Sequence, residues 1–379
     1  MVELPTEVLE TQERRPASTA RLTVISGVGG KLPACFLVEY DGIRLLLDLG
    51  EGPEPGVRPD LGRINGPVDA ILLSHAHEDH ANALDWRDRI GNPPVFATQG
   101  TWDLLPCDLV PGEDRQLLPD RGTFQIGSIP ITTGRSGHAP GGIWVHLALG
   151  GGLLYTGDYT TESHFYPFDA PPPAKTLIVD ASYGDYDLGI DDAIDEIARR
   201  AKSGVVLPVP EGGRGPEMAV RLMERGLSKP FLDAPLRDQA ERAMAGQDTT
   251  VAVTARNRLH AVYGTGFPAK PDPTGITICT DSNAVTGLSA QLLAQWGDDA
   301  PFVFTGHVPP GTPAAAFLAE GRATWLRWNV HPRRSDVVAL AHETSAEQIL
   351  LAFVEPCKTQ GLQHDLAPRR ILWGKVIDL

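Results

Sequence analysis

The sequence predicts an α/β protein in which a strand-rich first part forms an open mixed sheet and a middle part forms a parallel-sheet unit of its own. Three observations predict it. Apolar runs bounded by Gly, Pro and Asp turns recur from Arg21 to Val179; strands and helical patterns alternate from Asp192 to Thr305; and short strands return near the end. The chain of 379 residues is long enough for two domains, or for one domain carrying a large insertion.

Taken in order, strands are expected at Leu22–Ser26, Cys35–Tyr40, Gly42–Leu49 and Val68–Leu73, where β-branched and aliphatic residues run between turn formers. Further strands follow at Pro94–Thr98, Gln125–Thr132, Ile143–Leu149, Gly152–Thr156 and Thr176–Val179. Apolar residues at helical spacing then predict a helix over Asp192–Ala201. After it come a strand Val205–Val209, a helix Glu217–Arg225, strands Thr250–Val253 and Thr274–Cys279, a helix Ser289–Trp296 and a strand Phe302–Thr305. The last segment reads as strands Thr324–Val330 and Val337–Ala341, a helix Ala346–Val354 and a strand near Ile371–Ile377. There is no internal repeat, and Pro171–Pro173 reads as a stiff surface turn.

Composition excludes several classes. Cys35, Cys107, Cys279 and Cys357 are widely spaced and never form Cys-x-x-Cys, so neither a disulfide framework nor a cysteine zinc site is expected. The N-terminal stretch is charged and without an apolar signal core, and no run approaches the length of a membrane span. A cytoplasmic protein is the expectation. A net charge of −15, from 33 basic and 48 acidic residues, argues against nucleic-acid binding over the whole surface. It leaves room for a basic groove lined by Arg87/Arg89, Arg333/Arg334 or Arg369/Arg370, although scattered surface charges explain each pair equally well. The Ser26–Lys31 loop lacks the first Gly and the Ser/Thr of a phosphate loop and reads as a tight turn.

The most informative segment is His75-Ala-His77-Glu-Asp79-His80, directly after the apolar run Ala70–Leu73. Four potential ligands on one turn, three of the chain's 11 histidines among them, point to a metal site. Imidazole with carboxylate suits Zn²⁺. A dinuclear site needs more donors, and the chain supplies them at strand ends: His138 after the strand ending at Thr132, and Asp158 in Tyr155-Thr-Gly-Asp158. Either residue alone would more often be a satisfied turn or cap.

With these residues in place the sequence resembles the metallo-β-lactamase superfamily, which implies an αββα sandwich with a metal pair at its edge. Asp48, in Leu45-Leu-Leu-Asp48-Leu-Gly50, matches the motif that orients the metal loop. By this resemblance His75, His77 and His138 hold one Zn²⁺, Asp79 and His80 hold a second, and Asp158 bridges the two. Asp180-Ala-Ser-Tyr-Gly184, Gly204–Glu217 with its Gly-Arg turn, and Phe304-Thr-Gly-His307 with Pro310-Gly-Thr312 are similar to the β-CASP branch. That implies an inserted α/β β-CASP domain over 184–322 inside a metallo-β-lactamase domain made of 1–183 and 323–379.

β-CASP proteins are chiefly nucleases, so the resemblance implies zinc-dependent cleavage of phosphodiester bonds, in single-stranded RNA first and DNA next. By the same analogy His331 is the general acid for the leaving oxygen, oriented by Asp180, and His342 stands where a His-Gly-Glu motif completes the second ion. Asp79, Asp180 and His331 are therefore the expected catalytic set. Only eleven positions separate His331 from His342, whereas relatives fit a helix between those motifs. His164 and His307 are expected near the cleft, and Trp86, Trp325 and Trp328 could stack on a base, although such tryptophans more often belong to a core. Two other readings are a dinuclear zinc hydrolase of a small ester-type substrate and a non-catalytic scaffold in a processing complex. Homo-oligomerisation or a processing partner could provide targeting.

Overall fold

The computed structural model describes residues 19–52, 54 and 56–379; the charged N-terminal stretch discussed above lies outside them. Along the chain, β1 (Arg21–Ser26), β2 (Cys35–Tyr40), β3 (Ile43–Leu47) and β4 (Ala70–Leu72) come first, the β2–β3 hairpin closing through Asp41 (φ 51°) and Gly42 (φ 80°). Such a pair of left-handed residues matches the twist of the flanking strands. Then follow α1 (Glu78–Ala81), β5 (Val95–Ala97), α2 (Gln99–Leu104), β6 (Arg115–Leu117), β7 (Gly122–Ile126), β8 (Ile129–Arg135), β9 (Ile143–Leu147), β10 (Leu153–Tyr155) and β11 (Thr176–Asp180). The middle section contains α3 (Ile190–Arg200), β12 (Val205–Pro208), α4 (Gly215–Glu224), β13 (Phe231–Leu232), α5 (Ala234–Met244), α6 (Val253–Tyr263), β14 (Ile276–Cys279), α7 (Gly287–Trp296), β15 (Phe302–Phe304), α8 (Pro313–Ala319) and β16 (Ala323–Trp325). Last are α9 (Arg334–Glu343), β17 (Gln348–Ala352), α10 (Gln360–Leu366), β18 (Arg370–Leu372) and β19 (Val376–Asp378).

Two seven-stranded sheets, ordered β19-β1-β2-β3-β4-β5-β6 and β18-β17-β11-β10-β9-β8-β7, face each other. Their inner faces share one core in which Leu22, Phe36, Leu45 and Leu72 meet Ile131, Val145, Tyr155 and Leu350. The outer face of the first sheet is covered by the segment around Leu84 and Trp102, and that of the second by Val337, Leu340, Leu362 and Leu366 from α9 and α10. The layers are therefore αββα, as expected. A third sheet, β13-β14-β12-β15-β16, is wholly parallel and has cores on both faces, one with α3 to α6 and the other with α7 and α8. Its last strand, β16, runs three residues past the position 322 at which the insertion was expected to end.

Several expected elements differ. Gln125–Thr132 spans a hairpin, with β7 ending at Ile126 and β8 starting at Ile129, and Thr324–Val330 is a strand only as far as Trp325. Val337–Ala341 is not a strand but part of α9, whose buried Val337, Leu340 and Ala341 fall at i, i+3 and i+4. Ala346–Val354 is not a helix: Ile349, Leu350, Leu351 and Ala352 form β17, hydrogen-bonded between β11 and β18 and buried on both faces. Residues 250–253 form no strand and instead lead into α6. Among the described residues no helix is long and apolar enough to cross a membrane, and all four cysteines are unpaired.

Candidate metal centre

The site gathers where β3, β4, β10 and β11 end. β4 is fully buried, so its chain leaves the sheet at Ser74 and turns through His75 and His77 into α1, with His77 at the N-terminal cap. This turn is clamped from below. Leu49 and Glu51 donate their N–H groups to the carbonyls of His80 (3.0 Å) and Glu78 (2.9 Å). Gly50 between them lies so close that a Cβ there would sit 1.9 Å from the Asp79 carbonyl oxygen, so only glycine fits.

Asp48, buried after β3, holds the turn by accepting hydrogen bonds from Ser74 N (2.7 Å), Ser74 Oγ (2.7 Å), Tyr155 Oη (2.5 Å) and His80 Nδ1 (2.7 Å). Protonating Nδ1 leaves the His80 Nε2 lone pair free to ligate. Nδ1 of His75 lies 3.0 Å from Ser74 Oγ, and Nδ1 of His138, in the loop after β8, lies 2.6 Å from the Val330 carbonyl oxygen. Both rings therefore turn Nε2 inward. These two Nε2 atoms each lie 3.1 Å from His77 Nδ1, and a single imidazole N–H could satisfy at most one of them. Three converging nitrogens at this spacing match the edge of a tetrahedron around Zn²⁺, about 3.3 Å for a Zn–N bond of about 2.0 Å.

Asp158, after β10, sits at the centre. Its Oδ2 lies 3.8 Å from His75 Nε2, 3.6 Å from His138 Nε2 and 3.6 Å from His331 Nδ1, and its Oδ1 lies 3.3 Å from His80 Nε2. His80 Nε2 and Asp158 Oδ1 are buried without a hydrogen-bond partner. Three donor sets therefore share Asp158: His75, His77, His138 and Asp158; Asp79, His80 and Asp158; and Asp158, Asp180 and His331. Burial holds the His75 and His138 imidazoles well below their usual pKa and His77 at about 4, which keeps all three neutral and able to ligate. Burial opposes ionisation of Asp158, yet the facing His80 and His331 hold its carboxyl well below the usual range. Asp79 is likewise held down, against burial, by the ammonium of Lys31 2.8 Å away.

Beside the cluster, Asp180 ends β11 and its Oδ2 lies 2.8 Å from His331 Nδ1. Asp180 Oδ1 also accepts from Ser182 N at 2.9 Å, which fixes the carboxylate. The His331 ring, its side chain 13% exposed, lies edge-on to Tyr183, whose hydroxyl accepts from Val330 N at 3.0 Å. The inserted unit braces this wall: buried Arg214 donates to the carbonyls of His138 and Gly137 (both 2.7 Å) and pairs with Glu217.

His75, His77, Asp79, His80, His138, Asp158, Asp180 and His331 are thus brought together. His342 is not. It projects exposed from α9, beside Asp187, Arg334 and Glu343, because the segment expected as a strand is a helix that carries it away. His164 is exposed, and its contact with the site runs through its backbone N–H to Glu217. His307 lies exposed in the segment after β15, and desolvation followed by the Lys31 charge lowers its pKa. Trp328 is core, Trp86 lies under Arg58 and Arg89, and Trp325 is 40% exposed beside Arg327. One member of each arginine pair is tied down: Arg87 is buried on Asp114, Arg333 caps α9 through Asp336, and Arg369 holds the Ala346 carbonyl. Sequence reasoning missed Arg214 and Lys31 as parts of the site, although both lie in segments it had singled out.

A family described as the metallo-β-lactamase superfamily matches residues 28–198, the span that carries every donor of the cluster except His331. Residues 28–198 are therefore a metallo-β-lactamase domain. The chain's relatives fall in the β-CASP branch. A ribonuclease of Thermus thermophilus is 28% identical over 243 residues, covering 54% of this chain and 56% of the relative. The endoribonuclease YSH1 of Mycosarcoma maydis is 25% identical over 352 residues, covering 76% of this chain and 40% of the relative. The chain thus spans about half the length of these curated relatives. A crystal structure of a protein of unknown function from Enterococcus faecalis shares the fold, with a TM-score of 0.60 over 96% of this chain and all of that one, at 14% identity.

Proposed function

We propose that this chain is a zinc-dependent nuclease that hydrolyses phosphodiester bonds, with single-stranded RNA the preferred substrate and DNA the next. What carries the reading is the Asp180–His331 pair set 3.6 Å from the carboxylate that also faces two of the three converging imidazoles. A bound Zn²⁺ supplies Lewis acidity toward a phosphoryl oxygen and makes water a nucleophile near neutral pH. The chain's own residues do the rest. His75, His77 and His138 arrive neutral with their lone pairs aimed, because Ser74 and the Val330 carbonyl fix two of the tautomers. Asp180 accepts a hydrogen bond from His331 Nδ1–H, so in the imidazolium form the second proton sits on Nε2; that proton goes to the departing ribose oxygen and leaves a neutral imidazole still bonded to Asp180.

The RNA preference rests on the ribonucleases among the relatives, and the closed sandwich with an inserted parallel unit fits an extended strand better than a small ester. Free cysteines fit a reducing, cytoplasmic setting. The test is digestion of end-labelled single-stranded RNA and DNA of one sequence by the zinc-loaded chain and by His331→Ala. RNA cleavage by wild type, slowed by the variant at unchanged zinc content, is expected; an intact RNA beside a digested DNA would reverse the preference, and two intact polymers would sink the nuclease reading.

A further inference from the structure

The second donor set does not fit a second ion as the three-histidine set fits the first. Lys31, at the end of the glycine-rich loop after β1, reaches the cluster, and its ammonium pairs with Asp79 Oδ2 at 2.8 Å. It also lies 5.8 Å from the Phe353 ring. Phe353 follows β17 in the left-handed region (φ 63°), is buried, and packs edge-on against the ring of His80 with centroids 5.2 Å apart. Glu355 comes two residues later. The strand end beside His80 therefore reads Phe353-Val354-Glu355, and a helix, α9, separates it from His331, which is the spacing that His342 lacked. Where the resemblance expects His-Gly-Glu, this chain presents an aromatic ring.

We propose that the chain binds one metal ion tightly, on His75, His77, His138 and Asp158, and that the Lys31 ammonium stands at Asp79 in place of a second ion. Asp79 needs one positive neighbour, and Lys31 provides it without leaving the chain. A divalent ion beside that ammonium meets like-charge repulsion, and it finds only His80 Nε2 and Asp158 Oδ1 unpartnered. Phe353 offers it no lone pair. This replaces the expectation of two zinc ions; it rests on the metal-centre reading and is independent of which polymer is cut.

The test counts metal rather than turnover. Full-length chain loaded with zinc and dialysed against metal-free buffer is measured for zinc per chain by mass spectrometry, beside His77→Ala and a Lys31→Ala/Phe353→His double variant. Wild type is expected to retain one ion, with any second binding about 100-fold more weakly, and the double variant is expected to approach two. Circular dichroism checks that each variant folds, and the wild-type count stands whether or not the double variant does. A wild type that retains two ions, or none, overturns the proposal, as does a folded double variant that stays at one.

Discussion

Single atoms decide the tautomers here. Asp48 accepts four hydrogen bonds, one of them from His80 Nδ1, so Asp48→Asn turns an acceptor into a mixed group and loosens the ring that it aims. Metal affinity is expected to fall about 10- to 100-fold, measured by competition with a zinc chelator. His331→Ala removes the proposed proton donor and leaves the set His75, His77, His138 and Asp158 intact. Its kcat on RNA is expected to drop by about 10²- to 10⁴-fold with zinc content unchanged. In the chelated protein the buried imidazoles also set a pH dependence. His77 titrates at about 4 when folded against 6.5 when free, and burial likewise lowers His75 and His138 well below their free value. The unfolded chain therefore binds more protons below 6.5, and stability is lost as pH falls from 6.5 toward 4. His80 works in the opposite sense: Asp158 and Asp79 raise it despite burial, so its contribution is lost as pH rises above 6.5. Urea midpoints of chelated protein should peak near that value, and a flat profile between 4 and 6.5 would contradict the burial of neutral histidines.

Elements explain what the sequence disclosed and what it hid. The His-Ala-His-Glu-Asp-His turn was legible because its ligands are contiguous, and Asp158 and Asp180 because each ends an apolar run with turn residues behind it. β17 was hidden for a physical reason: a strand buried on both faces has no period-two alternation, and Ile349-Leu-Leu-Ala352 reads equally well as a buried helix. Exchanging β17 and α9 moved the expected motif eleven residues too early and put His342 in place of Phe353. Lys31 escaped notice because a lone lysine in a turn carries no signal until the fold sets it on Asp79. Two substitutions test the elements themselves. Leu350→Ala should cost about 2–5 kcal/mol in denaturant unfolding, since it opens a cavity where the two sheets meet. Gly50→Ala drives a methyl group into the Asp79 carbonyl and should cost about 1–3 kcal/mol while weakening zinc retention.

At the scale of the whole molecule, the sandwich supplies the candidate ligands and the inserted unit holds one wall of the site. Arg214 is the joint: it lies just before α4 of the insertion, yet binds the carbonyls on either side of the Gly137–His138 bond. Arg214→Met would leave Glu217 as a buried carboxylate without its partner, an expected loss of about 3–5 kcal/mol with slackened zinc binding at His138. The central claim, that the clustered histidines hold a metal used to cut RNA, is tested most directly by following cleavage of one labelled single-stranded RNA with a single preparation, first zinc-loaded, then chelated, then returned to one equivalent of zinc. The account predicts cleavage, its loss and its recovery at that one equivalent. Undiminished cleavage after chelation, or no cleavage by zinc-loaded protein, would contradict it.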